Sequence, residues 1–163
     1  KTAYEIVDCD WSSDVCSSDL EVIVDTCALK LVMNPQQFDV IVTTNLYGDI
    51  LTDEAAGLVG GLGLAPGLNA SGTHAMAQAT HGSAPDIAGK NIANPYAMIM
   101  SGKMLFDWLG IRRNEPKAAA AAALIERAVE QVIAAGRELT GDLGGSASTA
   151  QMGDAVARAI ATV

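Results

Sequence analysis

Three aspartates in this 163-residue chain have the spacing to serve a divalent cation. Asp49 and Asp53 lie four residues apart in a stretch whose pattern predicts a helix over 49–59, so both carboxylates fall on one face. Two like charges so placed repel by roughly 0.2–0.5 kcal/mol. A hard cation such as Mg2+ or Mn2+ reverses that cost, because it takes carboxylate oxygens and keeps water or substrate oxygens in the rest of its shell. Asp25, which follows the β-branched Val22-Ile23-Val24, is the third candidate. Spacing alone leaves a plainer reading open, with Asp49 stabilising a helix N-terminus and Asp53 a solvated charge.

A second constellation is His81-Gly82-Ser83-Ala84-Pro85-Asp86-Ile87-Ala88-Gly89. Its small residues let a ligand approach the backbone, and Asp86 has the chemistry to accept hydrogen bonds from a ribose diol. It is neither GxGxxG nor a P-loop, so it reads equally as a surface loop. A third is Asp142-Leu143-Gly144-Gly145, a Gly-rich turn before the last helix. His74 stands alone in a loop, and Met76, Met98, Met100 and Met104 read as core residues. The serines have no Ser-His-Asp context, which sets a hydrolase triad aside.

The elements that must position these groups alternate between strand and helix, an α/β pattern. Lys1–Asp8 reads as the end of a helix, and Glu21–Val24 as a short strand. Asp25 is placed to cap a helix over 26–33 that Asn34-Pro35 stops. Phe38–Thr43 is the clearest strand, apolar enough for burial on both faces, and 45–48 reads as a turn. Helix 49–59 ends at Gly60-Gly61, a loop follows to Gly72, and 75–79 reads as a short strand. Pro95 opens a helix to Leu109 with Gly110 as its C-cap. Helices over 117–135 and 149–160 close the chain.

Composition narrows the function. Ten Lys+Arg against 19 Asp+Glu make a net charge of -9, which argues against nucleic-acid binding. Half the residues are hydrophobic, enough for a packed core, yet no apolar run reaches the roughly 20 residues of a membrane span. The start at Lys1, without a signal-peptide pattern, reads as a piece of a larger protein. Cys9, Cys16 and Cys27 have no CxxC spacing, and their odd number points to reduced thiols and a cytoplasmic setting. The stretch Asp10-Trp11-Ser12-Ser13-Asp14-Val15-Cys16-Ser17-Ser18-Asp19-Leu20 is unlike its surroundings and resembles the translation of a short-read sequencing adapter. Residues 9–20 are therefore given no function.

Taken together, Asn45-Leu46-Tyr47-Gly48-Asp49-Ile50-Leu51-Thr52-Asp53 through Gly60-Gly61-Leu62-Gly63-Leu64, and His81 through Asn94-Pro95, resemble the signature and cofactor loop of the isocitrate/isopropylmalate dehydrogenase family. Val24-Asp25 and Asp142-Leu143-Gly144-Gly145 fall in the family's order. The resemblance covers about residues 21–163. It implies that family's two-domain α/β fold rather than a Rossmann fold, incomplete and without its N-terminal half. Residues 1–59 would end the central substrate and dimerisation domain, and 60–163 would be the C-terminal part of the cofactor domain.

The resemblance implies NAD- and metal-dependent oxidation of a 2-hydroxy acid with loss of its β-carboxylate as CO2. Asp25, Asp49 and Asp53 would bind Mg2+ or Mn2+. Asp25 would also meet substrate, facing the partner subunit's site in a homodimer. His81, Gly82, Ser83, Ala84, Pro85, Asp86, Ile87, Ala88, Gly89 and Asn94 would hold the adenosine half of NAD, with Asp86 disfavouring a 2′-phosphate. The family's substrate-binding Arg cluster and its catalytic Tyr and Lys would lie upstream, so no catalytic residue is named here and the chain alone is expected to be inactive. Gln78 departs from an acidic residue often found three before the His. Gly63-Leu64-Ala65-Pro66-Gly67 and Ala79-Thr80-His81-Gly82 lean towards isocitrate over 3-isopropylmalate, with homoisocitrate and tartrate as alternatives. A non-catalytic regulatory subunit on the same scaffold is the other reading, and retention of all three aspartates argues against it. A stand-alone structural α/β domain without cofactor affinity is a third.

Overall fold

The computed structural model describes residues 5–6 and 21–162. The readings made above for 1–4 and 7–20 lie outside the described residues. The chain divides into two compact units, 1–59 and 60–163.

In the first unit, β1 (Glu5–Ile6) pairs antiparallel with β2 (Val22–Ile23), Glu5 opposite Ile23 and Ile6 opposite Val22. The helix end expected over 1–8 is therefore a strand where it is described. The β-branched Val22-Ile23 offers it a ladder. Helix α1 (Val24–Met33) begins earlier than its pattern suggests, with Ile23 at the N-cap position. Asp25 is thus not the cap. It sits in the first turn, and its Oδ1 accepts from the Thr26 N–H at 2.5 Å and the Thr26 hydroxyl at 3.3 Å. Asn34 ends the helix, its N–H bonding to the Lys30 carbonyl at 2.8 Å, and Pro35–Gln37 form a 3-10 turn.

Phe38–Thr43 is not a strand among the described residues, and Val40 is 66 % exposed. A strand exists only with a neighbour to complete its ladder, and no described segment supplies one. Phe38 and Ile41 instead pack against a small core of Val22, Cys27, Leu31 and Leu51. Helix α2 (Asn45–Leu58) takes in the expected turn at 45–48: the Gly48 N–H bonds to the Thr44 carbonyl at 2.9 Å, and Thr52 returns its hydroxyl to the Gly48 carbonyl at 2.7 Å.

In the second unit, β3 (Leu68–Ala70) and β4 (Ala75–Ala77) form an antiparallel hairpin. Its turn closes by Ser71 N–H to the His74 carbonyl at 2.8 Å. Three helices follow: α3 (Tyr96–Arg112), α4 (Pro116–Ala135) and α5 (Thr149–Ile160). Ala128, Val129, Val132, Ala155, Val156 and Ala159 make the core between α4 and α5, and Ile99 and Met100 of α3 pack against it. Met76 and Met98, expected in the core, are 56 % and 51 % exposed, since they project from faces that no described element covers.

Gly110 is not a C-cap but a contact. It lies inside α3, and a Cβ there would stand 2.9 Å from Ala119 Cβ, so its absence lets α3 and α4 approach closely. Asn114 takes the left-handed conformation after α3 instead (φ 51°). Gly136 (φ 66°) ends α4, and Ser148 with Gln151 forms a reciprocal capping box on α5. Among the described residues no helix is long and apolar enough to cross a membrane.

Candidate cofactor and metal sites

Asp49 and Asp53 occupy the second and third turns of α2, exposed and one helical turn apart, as their spacing requires. Because the helix starts at Asn45, Asp49 is past the first turn, where the helix dipole acts. The plainer reading of Asp49 as an N-terminal carboxylate thereby loses its basis. Asn45 Nδ2 donates to Asp49 Oδ2 at 3.1 Å. Asp25 is exposed on α1. Among the described residues no three His, Cys, Asp or Glu side chains gather tightly enough to hold a metal ion. Cys27 is fully buried, and burial first, then the Glu54 charge, pushes its thiol pKa up, which disfavours the reactive thiolate.

The second unit holds a cavity of about 880 Å³, the size of a small-molecule site. Its wall includes His81, Gly82, Ser83, Ala84, Ile87, Ala88, Gly89 and Asn94 of the expected loop. Pro85 and Asp86 lie outside that wall, Asp86 exposed on the 3-10 turn Pro85–Ile87. Asn91, Ile92 and Ala93, which belong to the expected loop 81–94 without being singled out in it, also line the wall, and so do Leu62, Gly63, Asp142 and Thr149, which the sequence pattern does not assign there. The Gly-rich composition around Gly63 and the Ser148-x-x-Gln151 helix start were the available signals.

The two ends of the loop are held differently. At the near end, His81 Nδ1 lies 3.0 Å from the carbonyl of Gly82, and Ala84 is left-handed (φ 43°). At the far end, Asn91 is left-handed too (φ 56°), and α5 clamps it. Thr149 N–H donates to the Asn91 carbonyl at 3.0 Å, Ala150 N–H to Asn91 Oδ1 at 3.1 Å, and the Thr149 hydroxyl to the Ala93 carbonyl at 2.5 Å. Among the described residues the wall contains no Lys or Arg, and Asp142 is its one carboxylate.

A family model described as isocitrate/isopropylmalate dehydrogenase matches residues 14–156, a span that holds all three aspartates and the whole loop. The chain belongs to this family. It is 54 % identical over 140 residues to isocitrate/homoisocitrate dehydrogenase of Thermus thermophilus, an alignment that covers 86 % of this chain and 40 % of that protein. It is 48 % identical over 135 residues to 3-isopropylmalate dehydrogenase of Methanothermobacter thermautotrophicus, covering 83 % of this chain and 39 % of that one. The crystal structure of isocitrate dehydrogenase from Methylococcus capsulatus superposes with a TM-score of 0.76 at 51 % identity, over 85 % of this chain and 40 % of that one. The isocitrate/isopropylmalate dehydrogenase fold is therefore present in part, and the chain spans about 40 % of the length of the relatives it matches.

Proposed function

We propose that this chain is part of an NAD-linked, Mg2+- or Mn2+-dependent dehydrogenase that oxidises a 2-hydroxy acid and releases its β-carboxylate as CO2. The substrate is of the isocitrate or 3-isopropylmalate class, with homoisocitrate and tartrate as alternatives. The observation that carries the cofactor reading is the cavity wall: among the described residues it presents one carboxylate and no cation to pair with a 2′-phosphate. Residues 81–94 would hold the adenosine half there, and Asp86, just outside the wall, would add negative charge near the ribose.

Asp25, Asp49 and Asp53 supply the hard oxygens that Mg2+ or Mn2+ prefers. By the family resemblance, Asp25 would face the site of a second copy, in a homodimer. The bound ion would supply Lewis-acid polarisation of the substrate hydroxyl and carboxylate. The exposed Asp49–Asp53 pair is otherwise a small liability in the middle of a helix, which supports a ligand role over a regulatory copy free to lose it. Activity would need the family's Tyr, Lys and Arg groups from outside this chain, so the chain alone is read as inactive.

The test is a fluorescence titration of the purified chain with NADH and with NADPH. At least tenfold tighter binding of NADH is expected. Equal or tighter binding of NADPH would overturn the cofactor reading, and turnover of any of these 2-hydroxy acids by the chain alone would overturn the inactivity.

A further inference from the structure

Asp142 is exposed, is the one carboxylate in the cavity wall among the described residues, and accepts a hydrogen bond at each of its oxygens. Its Oδ2 accepts from Asn94 Nδ2 at 2.9 Å, and its Oδ1 accepts from the Thr140 hydroxyl at 2.5 Å. Thr140 is fully buried, and its carbonyl accepts from the Leu143 and Gly145 N–H groups, both at 3.0 Å. The carboxylate is thus held from below by a side chain that has no freedom of its own. On the other side of Asn94, Oδ1 accepts from the Tyr96 N–H at 2.9 Å at the start of α3. A backbone N–H can only donate, so the amide oxygen must face Tyr96 and the NH2 must face Asp142. Asn94 lines the cavity, and the second hydrogen of that NH2 has no acceptor among the described residues. Gly63 completes the arrangement, for a Cβ there would stand 3.1 Å from Asp142 Oδ2 and 3.3 Å from Asn94 Cβ.

We propose that Asp142 is a positioning residue of the cofactor site: supported by Thr140, it sets the orientation of the Asn94 amide, and with it the free N–H that a ring-nitrogen or carbonyl acceptor of the bound base would meet. The inference deepens the NAD reading and rests on it for the ligand's identity, but not for the Asp142–Asn94 link. An amide held at both ends meets its ligand without first losing rotamer freedom, which is how such a contact gains affinity. Asp142 itself need not touch the ligand.

The experiment has two arms, both on the whole chain. Without ligand, the Asn94 side-chain NH2 in a 15N correlation spectrum should give one dispersed pair of resonances with one hydrogen slow to exchange, and D142A should remove that protection. Unchanged protection in D142A overturns the proposal whatever the cofactor. With NADH as the probe, D142A should weaken binding about tenfold, the scale of one hydrogen bond to a charged group, and should weaken it no further in an N94A background. An equal loss in both backgrounds would mean that Asp142 only holds the loop together and would overturn the positioning role. If D142A does not fold, the shape-preserving D142N answers by the same cycle: about threefold weaker binding with Asn94 present and none without it, equal losses again overturning the role. Failure of the unaltered chain to bind NADH would sink the NAD reading, and the ligand-free arm, with D142N in place of D142A where needed, would then decide the role of Asp142.

Discussion

The two units of this chain differ in how completely they satisfy themselves. In the second, α3, α4 and α5 bury Ala128, Val129, Val132, Met152, Ala155 and Val156 together, and Ser148, Gly136 and Glu115 finish the helix ends. In the first, only Val22, Cys27, Leu31, Leu51 and Ala56 are buried among the described residues, while Leu29, Val32 and Met33 of α1 and Leu46, Ile50 and Leu58 of α2 remain at least half exposed. Neighbouring helices along the chain supply each other's core in the second unit. The first unit carries more apolar surface than its described residues cover, and a strand-like segment, Phe38–Thr43, without a ladder partner among them. The second unit closes its cavity with segments of its own, Leu62-Gly63, residues 81–94, Asp142 and Thr149, whereas the described residues of the first gather no threesome of ligating side chains.

That contrast breaks most sharply on core truncation. Met152 is fully buried, and Met152→Ala should destabilise the second unit by about 3 kcal/mol, with Leu58→Ala in the first unit changing unfolding by less than about 0.5 kcal/mol. Urea unfolding followed by circular dichroism checks both. Similar losses at the two positions would mean that the first unit is as tightly packed as the second.

A smaller effect sharpens the account of α3 and α4. Lys103 Nζ bridges Asp107 at 2.9 Å along α3 and Glu126 at 3.3 Å on α4, and chiefly the hydrogen bond to Asp107 holds its pKa above the usual 10.5. A raised folded-state pKa stabilises fully below the unfolded value and is lost as pH rises through the folded one. The stability gap between wild type and Lys103→Gln, under about 1 kcal/mol for partners so exposed, should hold up to pH 10 or so and close above it. Thermal melts of both proteins across that range measure it. A gap that closes in acid instead would assign it to the carboxylates.

The smallest effect concerns the first unit. Asp49→Asn removes one half of a like-charge pair on α2 and should raise stability by roughly 0.3 kcal/mol without metal. The same change should abolish any rise in melting temperature that Mn2+ gives the unaltered chain. Differential scanning fluorimetry with and without Mn2+ reads both, and an undiminished Mn2+ effect in the variant would remove Asp49 from the ligand set.

Much of the second unit was legible residue by residue. Thr149–Ile160 emerges with the bounds its apolar stripe implies, and 117–135 needed only Pro116 added, because cap, period and terminator all lie within the helix itself. Gly110 was misread because a glycine near a helix end has two uses, and only the position of Ala119 tells a cap from a close helix contact. In the site, His81–Gly89 and Asn94 were visible as a run of small and polar types. Leu62, Gly63, Asp142 and Thr149 come from distant segments whose convergence no local pattern announces.

By itself the sequence determined which segments are helical in the second unit, the shared face of Asp49 and Asp53, and the family, since these rest on spacing and residue type along a continuous stretch. Tertiary structure alone decided that Phe38–Thr43 has no ladder among the described residues, that Gly110 is a helix contact, and that Asp142 meets Asn94 across 48 residues of chain. The physical reason is the same in each case. Periodicity and capping act within a turn or two of helix, whereas a ladder, a close helix approach and a carboxylate–amide hydrogen bond across 48 residues exist only when remote segments meet.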